Sequence, residues 1–331
     1  MRQEILTARD LKAFYVLQSS GVELVVKAVN GVTLGCYQSE VLGIAGESGC
    51  GKSSLLKVLF TMVEPPLRIV GGDVFYKIEK DTAVDVFSLH PRERRRLRWV
   101  FISYIPQGSM SVLNPVTKIK RTCFDILRSH GYRKTTKEAF EMLTNHLKEL
   151  GLPSKVLNWY PHQLSGGMRQ RLNIAVATVL RPKVILADEP TTALDVVSQR
   201  GVIQLLKKVQ NQWGTSQILV THDMGVQANM ADRICIMYAG RIVEEADVQT
   251  IFESPLHPYT QYLIKSLPTF DSRARRESAP GAPPALSNLP TGCAFHPRCP
   301  YSFNKCVEKK PQLKEIKGGH KVACWLTGGR G

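Results

Sequence analysis

The sequence predicts an α/β domain built on a buried sheet, followed by a linker and a small cysteine-rich extension. Three observations carry this. Short apolar runs at Val41 to Ala45, Val184 to Ala187 and Gln217 to Thr221 are each followed by a polar or glycine-rich turn. Strands apolar on both faces suit a buried sheet, and their alternation with helical stretches from Leu11 to about Phe270 is the α/β pattern. The composition then shifts, with Asp271 to Pro290 rich in Pro, Ala, Ser and Arg and four of the eight cysteines crowded beyond it.

The chain has 331 residues, 43% of them apolar, which suits one dominant domain plus an appendage. Met1 to Asp10 carries no apolar run behind a basic start, and nowhere do about eighteen apolar residues follow one another. The expectation is a chain neither secreted nor membrane-spanning, whose membrane role comes through a partner. The net charge of +16 raises the question of an anionic partner, but most of it is scattered. The one dense run, Arg92, Arg94, Arg95, Arg96 and Arg98, has no aromatic interleaving before Trp99. It reads first as a solvated helix face, with contact to anionic lipid or RNA as the alternative.

The first chemical motif is Gly46-Glu-Ser-Gly-Cys-Gly-Lys52-Ser53, which follows the run Val41 to Ala45 and precedes helical Ser54 to Phe60. It matches G-x-x-x-x-G-K-[ST] in the strand, loop, helix context the motif requires. Glycines let such a loop wrap closely, so that backbone N–H groups and the helix N-terminus face phosphate oxygens. Lys52 is then placed to reach the β- and γ-phosphates of ATP and the Ser53 hydroxyl to ligate Mg²⁺. Lys118 to Leu152 reads as mainly helical and separates this motif from the next ones, which makes it part of an inserted helical subdomain at about 108–180.

Leu164-Ser-Gly-Gly-Met-Arg-Gln-Arg171 opens a stretch with helical spacing from Leu172 to Leu180. A serine and two glycines at a helix start form a second anion-binding terminus. One γ-phosphate rarely needs two such ends from a single chain, so this one is expected to serve the nucleotide of a partner. Val184-Ile-Leu-Ala-Asp188-Glu189-Pro190 is an apolar strand ending in two adjacent acids. An ionised pair there is costly unless a cation or water network uses it. Asp188 is expected to hold Mg²⁺ through water, and Glu189 to polarise the attacking water.

These motifs resemble the ATP-binding-cassette (ABC) ATPases, of which LSGGMRQR is the signature string. The resemblance spans about Leu11 to Leu267 and implies a P-loop NTPase cassette: a RecA-like core with a β subdomain and the inserted helical subdomain. It also implies roles for further residues in the family's order. Gln107, in Tyr104-Ile-Pro-Gln-Gly, is similar to the glutamine that contacts Mg²⁺ or the lytic water. Asp195, in Ala193-Leu-Asp, matches the loop that crosses the dimer interface, and His222 the histidine that contacts the γ-phosphate. Tyr15 resembles the aromatic that stacks on adenine, with Phe14 as its rival. The chain's own nucleotide site would thus comprise Tyr15, Gly46, Ser48, Gly49, Gly51, Lys52, Ser53 and Ser54, and Ser165, Gly166 and Gly167 would serve the partner's. Implied partners are a second ATPase subunit, identical or different, two transmembrane permease subunits and, indirectly, an extracellular substrate-binding protein, with the chain at the cytoplasmic face of the membrane.

The end of the chain narrows the resemblance to the oligopeptide and dipeptide importer ATPases, through Ser254-Pro-Leu-His-Pro-Tyr259, the Pro-rich arm and Gly292-Cys-Ala-Phe-His-Pro-Arg-Cys-Pro. That subfamily's extension supplies four cysteines to an iron–sulfur cluster. Here Cys293, Cys299, Cys306 and Cys324 are separated by five, six and seventeen residues. Four thiolates in a short, core-poor segment favour metal over disulfides in a reducing compartment. Zinc sites usually contain closer pairs. A 4Fe–4S cluster therefore leads, with zinc next and unligated thiols or disulfides after it. The expected organisation is a cassette over 1–270, a linker over 271–290 and a cluster-binding extension over 291–331. Importers of oligosaccharides or nickel are the neighbouring alternatives. A soluble ABC ATPase acting on ribosomes or nucleic acid is the alternative of another class; a single cassette without a long coiled-coil insertion speaks against it, and no nucleic-acid partner is expected.

Overall fold

The computed structural model describes residues 3–19, 21–79, 82–108, 113–133, 135–267 and 278–328. In chain order it has β1 (Glu4–Ser19), β2 (Val22–Tyr37), β3 (Val41–Ala45), α1 (Lys52–Leu59), β4 (Leu67–Glu79) and β5 (Thr82–Asp85). Then come α2 (Pro91–Leu97), β6 (Ile102–Ile105), α3 (Ile119–Ser129), α4 (Thr136–Glu149), α5 (Gly166–Thr178), β7 (Val184–Asp188), α6 (Val196–Trp213) and β8 (Ser216–Val220). The remainder is α7 (Met224–Met230), β9 (Arg233–Tyr238), β10 (Arg241–Asp247), α8 (Val248–Glu253), α9 (Pro258–Lys265), α10 (Asn304–Glu308), β11 (Lys314–Lys317) and β12 (His320–Val322). The chain divides into two compact units, one of residues 1–5, 37–40 and 88–218, the other of residues 6–36, 41–87 and 219–331.

In the first unit β6 and β7 pair in parallel, Ile102 opposite Val184 through Ile105 opposite Ala187. Every residue of β7 is buried, as its unbroken apolar run requires. The helical stretch expected over 118–152 is two helices. α3 buries Ile119, Cys123 and Leu127 at a spacing of four, and it ends where Gly131 turns with φ 79°. α4 restarts on a capping box: Thr135 Oγ1 accepts from the Glu138 N–H at 3.3 Å while Glu138 Oε2 accepts from the Thr135 N–H at 2.8 Å. Arg92, Arg94, Arg95 and Arg96 lie on α2, which buries no residue, and Arg98 is its extended C-cap, consistent with a solvated helix face.

The second unit contains an antiparallel sheet of order β2-β1-β4-β5 and the strands β11-β12-β10-β9-β3, of which β3 and β9 are parallel. The length of β1 is not apparent from its sequence. Its alternation breaks at Asp10, which takes φ 41° where the register with β4 shifts. Gly72 opposite makes this feasible, since a Cβ there would lie 2.4 Å from the Asp10 carbonyl oxygen.

The expected linker at 271–290 lies partly outside the described residues; from 278 onward it forms no helix or strand, and the Lys27 N–H donates to the Leu286 carbonyl at 3.0 Å. The tail, which shows no apolar periodicity, nonetheless joins the core of its unit. Phe295 is 1% exposed, among Tyr238, Tyr259 and Tyr262. β12 pairs antiparallel with β10, Glu244 opposite Val322, and Lys321 Nζ donates to Glu245 Oε1 at 2.9 Å. An aromatic anchor at Phe295 and a strand paired with β10 therefore supply what periodicity does not.

Candidate functional site: a phosphate loop, an acidic strand end and a cysteine pocket

In the second unit, β3 delivers the chain into the loop 46–51 and α1 carries it away. Gly46 takes φ 153° and a Cβ on it would lie 2.1 Å from the Met237 carbonyl oxygen; Gly51 takes φ 108° and a Cβ would lie 2.0 Å from the Ala28 carbonyl oxygen. Both positions exclude a side chain, because neighbouring backbone fills its place. Lys52 is 6% exposed, and its Nζ donates to the carbonyls of Gly46 at 2.8 Å and Glu47 at 2.9 Å. The ammonium is thereby held at the centre of the loop, while Ser48 and Gly49 are exposed.

No side chain caps α1, so the first-turn N–H groups at Ser53 and Ser54 belong to an end suited to anions. Tyr15, on β1, brings its hydroxyl within 3.1 Å of Ser54 Oγ. Phe14, its neighbour, points to the opposite face of the strand. In the same unit His222 is exposed just after β8. Asp223 beside it caps α7, accepting from the N–H groups of Gly225 at 2.8 Å and Val226 at 3.2 Å.

In the first unit, Asp188 ends β7 at 2% exposure and its Oδ2 accepts from the Tyr104 hydroxyl at 2.8 Å. Glu189 takes φ 45°, an unusual conformation for a residue with a side chain. Its Oε2 accepts from Gln107 Nε2 at 3.0 Å and from Thr192 Oγ1 at 2.8 Å. Gln107 and Glu189, both chosen from the sequence, are thus in direct contact.

The glycine-led helix start lies in the same unit. Ser165 caps α5, its Oγ accepting from the Met168 N–H at 3.4 Å. Asp195 caps α6, accepting from the Ser198 N–H at 2.9 Å and hydroxyl at 2.6 Å. The Ser198 hydrogen bonds hold the Asp195 carboxyl below the usual carboxylate range. The two helix starts pack together at Gly167, where a Cβ would lie 2.8 Å from Ser198 Oγ; Gly166 is under no such pressure, its nearest atom being 3.9 Å away. Tyr104, Thr192 and Ser198 escaped the sequence reading. Each lies three residues from a residue it singled out, and only Asp195 to Ser198 has the spacing of a recognisable cap.

The four tail cysteines converge. Cys293, Cys299, Cys306 and Cys324 line one pocket with His257 and Phe295, and none of the eight cysteines, all of them among the described residues, forms a disulfide. Burial pushes the Cys293 thiol up to about 11 and raises those of Cys299 and Cys324. Among the described residues no group of three or more His, Cys, Asp or Glu side chains is arranged so as to hold a metal ion, so the metal-bound extension expected from the sequence is not shown. His296 directs its Nδ1 to the Cys293 carbonyl at 3.0 Å.

Comparison with known proteins agrees with these features. Residues 29–192 match the ABC transporter family, and residues 243–306 match the C-terminal region of oligopeptide/dipeptide transporters. The chain is 39% identical to the dipeptide transport ATP-binding protein DppD of Caldanaerobacter subterraneus subsp. tengcongensis, over 97% of each chain. It is also 39% identical to the oligopeptide transport ATP-binding protein OppD of Bacillus subtilis, over 91% of this chain and 84% of that one. Among solved structures, the dimeric bacterial ABC transporter cassette MJ0796 superposes with a TM-score of 0.63 and 26% identity, covering 73% of this chain and 98% of that one. The chain therefore belongs to the ATP-binding proteins of ABC transporters, in their oligopeptide/dipeptide branch, and couples ATP hydrolysis to transport. No helix among the described residues is long and apolar enough to cross a membrane.

Proposed function

We propose that the chain powers an importer of oligopeptides or dipeptides from the cytoplasmic face of the membrane, pairing with a second ATPase chain and two transmembrane permease subunits. The match of residues 243–306 to the oligopeptide/dipeptide C-terminal region carries the peptide reading, and the relatives' names agree with it. Oligosaccharides and nickel are the competing cargoes. The natural division is a cassette over 1–270, with its helical subdomain at about 108–180, a linker over 271–290 and an extension over 291–331.

The site residues take their roles from the chemistry each is placed to perform. Tyr15 stacks on adenine in preference to Phe14, its hydroxyl being tied to the start of α1. Gly46, Ser48, Gly49 and Gly51 present backbone amides to the phosphates, Lys52 reaches the β- and γ-phosphates, and Ser54 adds a first-turn N–H. Ser53, Gln107 and Asp188 serve Mg²⁺, which when bound neutralises developing phosphate charge. Glu189 orients and polarises water, and His222 contacts the γ-phosphate. Ser165, Gly166, Gly167 and Asp195 act on the nucleotide of the partner chain.

The ground for proposing a 4Fe–4S cluster in the tail is that its four cysteines line one pocket and form no disulfide, although among the described residues no group of three or more His, Cys, Asp or Glu side chains is arranged to hold a metal ion. Bound there, the cluster would supply a structural cross-link. The cargo is tested in proteoliposomes holding both ATPase chains, the permeases and the binding protein. Dipeptides or oligopeptides should stimulate phosphate release severalfold. Stimulation by nickel or oligosaccharide alone would overturn the peptide reading.

A further inference from the structure

Glu47, the second residue of the phosphate loop, is fastened at every polar group. Its carbonyl accepts from Lys52 Nζ at 2.9 Å and from the Cys50 N–H at 3.3 Å. Its N–H donates to the Tyr259 hydroxyl at 2.8 Å. Its carboxylate accepts a forked pair from Arg298, Nη1 to Oε2 at 2.8 Å and Nη2 to Oε1 at 3.0 Å. The arginine comes from the cysteine-rich extension, 251 residues further along the chain.

Arg298 is itself fixed. Only 7% exposed, it donates Nε to the Pro280 carbonyl at 2.8 Å and Nη2 to the Ala279 carbonyl at 3.3 Å. Its guanidinium also lies 5.8 Å from the centre of the Phe295 ring and 5.9 Å from that of Tyr238. Planar forked geometry of this kind is what arginine provides and lysine does not. The same short helical turn, His296–Arg298, lies between Cys293 and Cys299, so one turn carries both the arginine and His296, which lines the cysteine pocket.

We propose that Arg298 is a positioning residue for the phosphate loop, through which the C-terminal extension sets the affinity of this chain for ATP. Two effects follow from the pair. The fork orients Glu47, and with it the carbonyl that holds Lys52. It also neutralises a carboxylate that would otherwise stand unpaired in a loop built to receive a polyanion, where like charges repel. A carboxylate in an anion cradle is a poor choice unless a fixed cation accompanies it. The proposal rests on the assignment of Gly46 to Ser53 to the phosphates.

Full-length protein, assembled with its transporter partners, supports a direct test. R298Q should raise the KM for ATP about tenfold with kcat changed less than about twofold. Adding E47Q removes the unpaired charge, so the double variant should recover to within about threefold of the wild-type KM. A merely structural role would lower the melting temperature or kcat without rescue by E47Q. If R298Q does not fold, R298K carries the same test, with a raised KM expected. An unchanged KM in the folded arginine variant, or a double variant no better than the single one, overturns the proposal. K52A separates the two levels: if it binds ATP as the wild type does, the phosphate-loop assignment itself is wrong. If K52A abolishes binding while R298Q leaves KM alone, only the role of Arg298 fails.

Discussion

Gln107 Nε2 donates to Glu189 Oε2 at 3.0 Å, and Thr192 Oγ1 donates to the same oxygen at 2.8 Å. Two neutral donors thus hold one carboxylate oxygen at a residue whose backbone is in the left-handed region. A carboxylate held by these two hydrogen bonds is fixed in direction, which suits a group that must orient and polarise a water molecule. Glu189→Gln should bind ATP normally and lower kcat by about 10²- to 10⁴-fold. Nucleotide binding and phosphate release, measured on the assembled transporter, check both parts, and unchanged turnover would remove Glu189 from the mechanism. Thr192→Val should act in the same direction but more weakly, because Gln107 remains.

Gly167 is where the starts of α5 and α6 meet. Gly167→Ala forces a Cβ to within 2.8 Å of Ser198 Oγ, and overpacking of this order costs about 1–3 kcal/mol. Thermal unfolding should show that loss, with ATPase activity falling alongside it because both helix starts shift. Ser198→Ala in the Gly167→Ala background should recover part of the stability; no recovery would mean that the clash is not the cause.

His146 gives the first unit a pH dependence. Its Nε2 lies 2.9 Å from the Ala175 carbonyl and its ring stacks on Trp213 at 5.6 Å. Burial lowers its pKa below the ordinary value of 6.5. The folded state therefore keeps the ring neutral where the unfolded chain takes up a proton, so stability is full above about pH 6.5 and declines as pH falls below it. Melting temperatures between pH 7.5 and 5 should drop less in His146→Gln than in the wild type, after allowing for its lower starting value. Parallel curves would refute the assignment.

The cysteine pocket predicts what metal removal does. Replacing Cys306 by Ser should abolish the broad absorbance near about 400 nm expected of an iron–sulfur chromophore and release iron and sulfide. Zinc recovered from the wild type in place of iron would reverse the order of the two candidates.

How much of this was legible in the sequence depends on how local the interactions are. β3, β7 and the phosphate loop are contiguous strings whose residues state their own geometry. β8 begins one residue before the apolar run suggests and stops before Thr221, because the Thr221 side chain accepts from the Asp223 N–H at 3.1 Å and opens the turn. α5 begins at Gly166, where the serine and two glycines are expected to open it, because Ser165 caps its first turn. The Arg298–Glu47 pair could not be read at all. Nothing in Glu47 marks it as other than a surface loop residue, and its partner lies in a segment of separate composition. The long β1 strand was missed because Asp10 breaks the alternation that would have announced it.

The central claim is that the helix start at Ser165 to Gly167 belongs to the nucleotide of a second chain. It is tested most directly by light scattering of the Glu189→Gln protein, together with its companion ATPase chain, with and without Mg·ATP. The account predicts a two-chain particle that forms with ATP, persists while hydrolysis is blocked, and is lost when Ser165 is replaced by Arg. A particle of one chain's mass in saturating Mg·ATP, or a pair indifferent to nucleotide and to Ser165, would contradict it.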